Sequence, residues 1–204
     1  GYRGVDILTW MELIGAFSTP YDQVDDLDRV RRTPSLTLIG SDEPETLDLN
    51  TLQELGVEIT GRLSAVRDGT LLFSGGLNNV CQAADLKMNR LLHSIDTWID
   101  QSHLTAMFPQ TEPALQTNVP DMPRLGMAGV TSVVWATGYT PDFSWLEMPV
   151  FDTKGRLVHD GGVVAPGLFA LGLPYLRTRQ STHIHGASED ARAICQHIRV
   201  HLDR

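Results

Sequence analysis

The chain has 204 residues, 42% of them apolar and 20% charged, which suits one large or two small globular domains. A net charge of -9 argues against a phosphate-backbone partner, because nucleic-acid binders need a basic face. Two cysteines are too few for a disulfide framework, the apolar runs are punctuated by Gly and Pro rather than long enough to span a bilayer, and there is no signal peptide, so a cytoplasmic protein is expected.

In chain order, Asp6 is positioned to cap a helix through Trp10, Leu13, Ile14 and Phe17, with Pro20 just past its end. "SLTLIGS" (35–41) reads as a short strand, and "LDLNTLQELG" (47–56) as a helix closed by Gly56. "VEITGRLSAV" and "RDGTLLF" form a hairpin turning at Asp68-Gly69. The clearest helix is "VCQAADLKMNRLLHSIDTWIDQSHL" (80–104), with Ala84, Met88, Leu91, Leu92, Ile95, Trp98 and Ile99 in one core-facing stripe. "PQTEPALQTNVPDMPR" (109–124) holds four prolines without periodicity and reads as a loop or linker. It divides the chain into residues 1–124 and 125–204.

"SVVWATGYTPDFSWL" (132–146) begins like a buried strand and stops at Thr137-Gly138, with Tyr139, Phe143 and Trp145 in the loop after it. "VFDTKGRLVHDGG" (150–162) reads as a hairpin turning at Lys154-Gly155, and "PGLFALGLP" (166–174) as a short buried strand. "GASEDARAICQHIRVHLDR" is an amphipathic helix with Ala187, Ala191, Ile194, Ile198 and Leu202 inside and Glu189 and Asp190 at the positive end of its dipole. The fold class is therefore α/β, with a β-meander and a long amphipathic helix, and a family resemblance carried by the motifs below implies a partial Rossmann-like fold.

Two places bear chemistry. A strand ending in Thr137-Gly138 lets a flat or anionic ligand approach bare backbone, although a plain strand exit is the equally open alternative. After Gly172 a polar loop with Arg177, Arg179, Gln180, Ser181 and Thr182 leads into a helix starting near His183–Gly186, whose free N–H groups would suit an anion or a polarised carbonyl. An ordinary capped loop is the alternative there.

Taken together, "VVWATGYTPDFSWL", "GLFALG" and the Ser/Thr-rich loop into "SEDA" resemble the C-terminal part of flavin-containing monooxygenase-like oxidoreductases. These are flavoproteins with two dinucleotide-binding domains. "YRGVDILTWMELIGAF" and "TLDLNTLQELGVEITGRLSAVRDGTLLF" resemble stretches of their NADPH domain. The resemblance implies that residues 1–124 close an NADPH-binding domain and 125–204 an FAD-binding domain. It implies that Thr137, Gly138 and Tyr139 lie near flavin and nicotinamide, and Gly172 and Leu173 along the FAD ribityl and pyrophosphate. Gln180, Ser181, Thr182 and His183 then face the flavin, the last three offering backbone N–H groups to its pyrimidine edge. Many relatives carry an acidic residue where this chain has Leu173. Arg3 is placed to meet the NADPH 2′-phosphate, guanidinium being suited to phosphate.

No G-x-G-x-x-G occurs; Gly126 and Gly129 make only a partial pattern. The family's two glycine fingerprints precede the part resembled here. The expectation is a C-terminal portion whose partner is the missing N-terminal half carrying those loops, with FAD binding weak or absent and no activity in these 204 residues alone. The intact enzyme would oxidise a small organic substrate with reduced flavin and oxygen. A truncated, non-catalytic nucleotide-binding protein, dimeric through its orphaned sheet edge, is the alternative. A module taking NADPH without FAD is a third. No general base is named, since the flavin would carry the reaction. His183/His185 and His197/His201 have metal-ligand spacing but no third ligand, so no metal site is expected. Cys195, beside the last helix's inner stripe, reads as a buried or half-buried structural thiol.

Overall fold

The computed structural model describes residues 1–33, 48–111 and 113–203, so the strand expected at 35–41 lies outside the described residues. The elements in chain order are α1 (Ile7–Leu13), α2 (Leu27–Arg31), α3 (Leu49–Glu54), β1 (Leu63–Arg67), β2 (Thr70–Phe73), α4 (Leu77–Gln101), β3 (Arg124–Gly126), β4 (Val163–Ala165), β5 (Leu168–Phe169) and α5 (Ala187–Leu202), with 3-10 turns at Tyr21–Gln23 and Arg179–Thr182. The fold is mixed α/β, with a β-meander and a long amphipathic helix. The chain divides into two compact units, residues 1–10 with the described part of 37–138, and the described part of 11–36 with 139–204.

In the first unit, β1, β2 and β3 form an antiparallel sheet in that order. Asp68 (φ 46°) and Gly69 (φ 70°) make the tight turn between β1 and β2, as the Asp-Gly pair predicts, because both central residues of a type I′ turn need positive φ. Asp48 caps α3 by accepting from the Thr51 N–H at 2.8 Å, and the Val57 N–H to Leu52 carbonyl bond closes it past Gly56. Leu77 and Cys81 of α4 bury against Val119, flanked by Leu49 and Ile59. The Pro-rich segment before β3 is thus tied to α3 and α4 around residues 116–119. Asp85 accepts from both the N–H and the hydroxyl of Thr117 at 2.8 Å, and Asn50 and Gln53 of α3 bond Gln116 and Asn118.

The stripe expected on α4 is buried only toward its C-terminal half. Ile95 and Ile99 are fully buried, Leu91, Leu92 and Trp98 half-buried, but Ala84 and Met88 are exposed. The packing there comes from the N-terminus of the chain. Trp10 meets Trp98 and Phe108 edge-on, with ring centroids 6.0 and 5.0 Å away, and its indole N–H donates to the Tyr2 carbonyl at 2.7 Å. α1 stops at Leu13, one turn short of the expected Phe17, because the Ala16 N–H folds back onto the Met11 carbonyl at 2.8 Å and Gly15 takes positive φ.

The strand expected at 132–136 does not form. Every residue from 131 to 140 is exposed, and no described strand pairs with the segment. Without a ladder partner its backbone groups turn to water, since buried backbone must be hydrogen-bonded.

In the second unit, β4 and β5 pair antiparallel, Val163 opposite Phe169. The expected strand 166–174 is reduced to Leu168–Phe169, half-buried. Asp152 organises the Lys154-Gly155 turn. One carboxylate oxygen accepts from the Lys154 and Arg156 N–H groups, and the other pairs with the Arg156 guanidinium at 2.6 Å. α5 buries Asp190 and Ile194 and half-buries Ala187, Ala191 and Ile198, while Leu202 is exposed near the helix end. Cys195 is exposed, not the buried or half-buried thiol expected, because it lies outside that stripe; the buried thiol is Cys81.

Candidate functional site

In the second unit a polar segment runs from Leu173 to Gly186. Leu176 is fully buried and anchors it. Tyr175, also buried, holds φ 48°, and its hydroxyl donates to the Thr19 carbonyl at 3.0 Å. A non-glycine residue in that region carries strain, and here burial and the hydroxyl bond hold it in place. The Tyr21 N–H donates to the Arg177 carbonyl at 2.7 Å, so the loop is stitched to residues 19–21 at two points.

A 3-10 turn, Arg179–Thr182, follows. The Thr178 hydroxyl accepts from the Gln180 N–H at 3.2 Å, and the buried Ser181 hydroxyl accepts from the N–H groups of Arg177 and Thr178 at 3.1 and 3.2 Å. These bonds form a reciprocal capping box. His183 packs edge-on against Phe17 with centroids 5.2 Å apart, and His185 lies 5.4 Å from His183. α5 begins only at Ala187, four residues past the turn's closing His183, with no side-chain cap at Gly186.

The expected contact residues sit as follows. Gly172 has φ 80°, is exposed, and has no atom within 4 Å of the position a Cβ would take. Leu173 is half-buried and lines an apolar recess. Gln180 is half-buried, Ser181 buried and Thr182 exposed. The Ser181 N–H donates to the Thr178 carbonyl at 3.3 Å and the His183 N–H to the Gln180 carbonyl at 2.7 Å, so both amides are used within the turn.

In the first unit, Thr137 is exposed, and Gly138 has φ 83° with open space where a Cβ would lie. Tyr139, which begins the next segment of the second unit, is fully exposed. Arg3, by contrast, is buried. Its guanidinium pairs with Asp96 at 2.7 Å and donates to the Phe108 carbonyl at 2.8 Å, leaving only Nε without a partner among the described residues. The Tyr2 hydroxyl donates to the same Asp96 carboxylate at 2.9 and 3.0 Å. Burial, and beyond it the adjacent carboxylate, hold the Tyr2 phenol above its ordinary range. These residues edge a cavity of about 270 Å³ shared with Asn89, His93 and Gln110.

Sequence reasoning did not single out Tyr21, Asp160 or His159. The Tyr21 hydroxyl donates to Asp160 at 2.5 Å, a bond that keeps the phenol protonated. His159 Nε2 lies 3.1 Å from an Arg31 nitrogen. Burial and that guanidinium both push the imidazole below its ordinary range. The "HDGG" turn was the available signal, but its partners are more than 120 residues away in sequence. Among the described residues, no group of three His, Cys, Asp or Glu is placed to hold a metal ion. No helix there is long and apolar enough to cross a membrane.

A part of the chain is similar to bacterial oxidoreductases. It is 40% identical over 74 residues to a protein named "Uncharacterized oxidoreductase CzcO-like" from Geobacillus kaustophilus. It is 35% and 34% identical over 71 residues to proteins named "Uncharacterized oxidoreductase CzcO" from Bacillus velezensis and Bacillus subtilis. The matched segment is 34 to 35% of this chain and 21% of each relative. No protein-family model matches the chain. No solved structure matches it either.

Proposed function

We propose that the chain is the C-terminal portion of an oxidoreductase that uses FAD and NADPH, acting on a small organic substrate in the manner of flavin monooxygenases. Its relatives' names support the oxidoreductase part. The cofactor part rests chiefly on Gly172. It has positive φ and open space over its α-carbon, directly after the β4–β5 ribbon and directly before a loop held by Ser181 and Tyr175. Bare backbone on a rigid support is what a flat ring system or a pyrophosphate needs in order to come close.

The fit to a flavin is specific about which groups are left. The Ser181 and His183 amides already have acceptors, so the polar edge of a ring falls to the side chains of Gln180 and Thr182. Gly138 offers a second open backbone position, with Thr137 and Tyr139 beside it in sequence. Arg3 offers a phosphate only its Nε, and a 2′-phosphate there must displace Asp96. Bound flavin would supply the redox chemistry; in the second unit Gly172, Gln180 and Thr182 would position it.

The deciding experiment is FAD titration, by flavin fluorescence, of the protein encoded by the whole gene and of its Gly172→Val variant. The expected result is stoichiometric binding that the variant weakens at least about tenfold, with weak or absent binding by residues 1–204 alone. A whole-gene protein that purifies without flavin and cannot be reconstituted overturns the reading.

One observation favours a second reading, a non-catalytic nucleotide-binding protein that self-associates. Val134, Trp135 and Tyr139 are 86, 77 and 103% exposed, an apolar run that invites a partner. Sedimentation velocity of the chain with and without Trp135→Lys separates the two, because only self-association through this run is abolished by the charge.

A further inference from the structure

The second unit contains an apolar recess of about 260 Å³. Its floor is the β4–β5 ribbon, through Val164 and Phe169. One wall carries Leu171 and Leu173, on either side of the bend at Gly172, and the other is the loop carrying Trp145 and Leu146. No lining residue is charged, and Trp145 supplies the only hydrogen-bonding side chain. This is notable on a chain of net charge -9, because among the described residues no carboxylate borders the recess. Two of the walls hold large apolar groups out in water, Trp145 being 72% exposed and Leu171 51%. Keeping such groups in water is unfavourable, so an occupant that covers them gains hydrophobic driving force.

We infer that this recess binds a small, neutral, hydrophobic molecule and that such a molecule is the substrate class of the proposed oxidoreductase. The second clause rests on the function proposed above; the first does not. Neutrality follows from the lining, because an ionised group placed there would lose its water and find no counter-charge. Size follows from the volume, which is just below that of sites for drug-sized ligands, so the occupant is a one- or two-ring hydrophobe. Location supplies the link to chemistry. Leu173 lines the recess and Gly172 precedes it, so the hydrophobe sits next to the backbone that the proposed flavin approaches. The absence of a carboxylate at position 173 then has a physical meaning, since an acidic side chain there would put charge into the recess wall.

The test needs no flavin. The neutral probe N-phenyl-1-naphthylamine is titrated into residues 1–204 and into the whole-gene protein, following probe fluorescence. Competition by 2-methylnaphthalene and by naphthalene-2-carboxylate is then measured. The expected result is saturable one-to-one binding to both proteins, with the carboxylate competing at least about tenfold less well than the neutral analogue. Leu171→Glu should weaken probe binding at least about tenfold, and Trp145→Ala should weaken it several-fold. Both positions are largely exposed, so the fold should survive, as circular dichroism verifies. Absence of saturable binding, equal competition by the carboxylate, or binding indifferent to Leu171→Glu overturns the inference. So does binding by residues 1–204 that disappears on self-association or in the whole-gene protein, because the recess is then a face covered by protein. Probe binding without flavin binding refutes the oxidoreductase reading alone; flavin binding without probe binding refutes the recess alone.

Discussion

A Cβ placed on Gly186 would lie 2.1 Å from the carbonyl oxygen of Gln180 and 2.6 Å from its carbonyl carbon. The 3-10 turn and the start of α5 therefore touch backbone to backbone, and only glycine allows it. Gly186→Ala is expected to force that joint apart and to destabilise the fold by about 1–3 kcal/mol, the usual range for overpacking. Because Gln180 is the residue displaced, the variant should also lose flavin affinity in the whole-gene protein. Urea unfolding and a flavin titration on one preparation check both; a variant of unchanged midpoint contradicts the close approach.

Asp96 holds the N-terminal segment of the first unit in place. It receives the Tyr2 hydroxyl and the Arg3 guanidinium, whose side chain is 1% exposed against 30% for Asp96. Asp96→Asn keeps the shape but leaves a buried guanidinium without its counter-charge. Breaking a buried pair from one side costs about 3–5 kcal/mol, and the partial exposure of Asp96 lowers the expectation to about 2–3 kcal/mol. Tyr2→Phe should cost about 1 kcal/mol, the usual worth of a single hydrogen bond. A double-mutant cycle by chemical denaturation checks the ranking, with Asp96→Asn the larger loss.

What was legible in the sequence was local. Asp68-Gly69 announced its hairpin because a type I′ turn selects those residues whatever surrounds them. Gly56 marked the C-terminal end of α3 for the same reason, whereas the Asp48 cap at its start was not singled out. The segment 132–136 was not legible, because β-branched and aromatic composition reports fitness for a sheet, not the presence of a neighbouring strand. The burial of Arg3 was equally hidden. A guanidinium three residues from the start looks like a free phosphate contact until Asp96 and Phe108, more than ninety positions away, close around it. In the candidate site, the polar loop was visible as Arg177–His183, but the engagement of its amides by the capping box was not.

His159 provides a pH dependence whose direction is set by its neighbours. Arg31 faces Nε2 at 3.1 Å, the Gly162 N–H points at Nδ1 from 3.4 Å, and Asp160, the nearby carboxylate, is engaged by Tyr21. The ring is held neutral in the folded chain, below the roughly 6.5 of an unfolded histidine. As pH falls below about 6.5, the unfolded chain takes up a proton that the folded chain refuses, so this contribution to stability is lost. Urea midpoints at pH 7.5 and 5.5 should converge more in His159→Gln than in the parent. Equal pH slopes in the two proteins would contradict the depressed imidazole.

His103 closes α4 in a way that costs stability. The Leu104 N–H donates to the Ile99 carbonyl at 3.0 Å, and the turn that permits this puts His103 at φ 57°. Helix ends of this kind normally place glycine there, because a side chain in the left-handed region costs about 1–2 kcal/mol. The imidazole is exposed and makes no side-chain hydrogen bond among the described residues, so its removal loses little. His103→Gly relieves the backbone strain but gives the unfolded chain more freedom, which takes back about 0.5–1 kcal/mol. The net expectation is a gain of about 0.5–1 kcal/mol, visible as a higher urea midpoint with an unchanged slope. His103→Val is expected to move the opposite way, because a β-branched side chain tolerates positive φ least. If both variants shift in the same direction, the helix does not end through a left-handed His103.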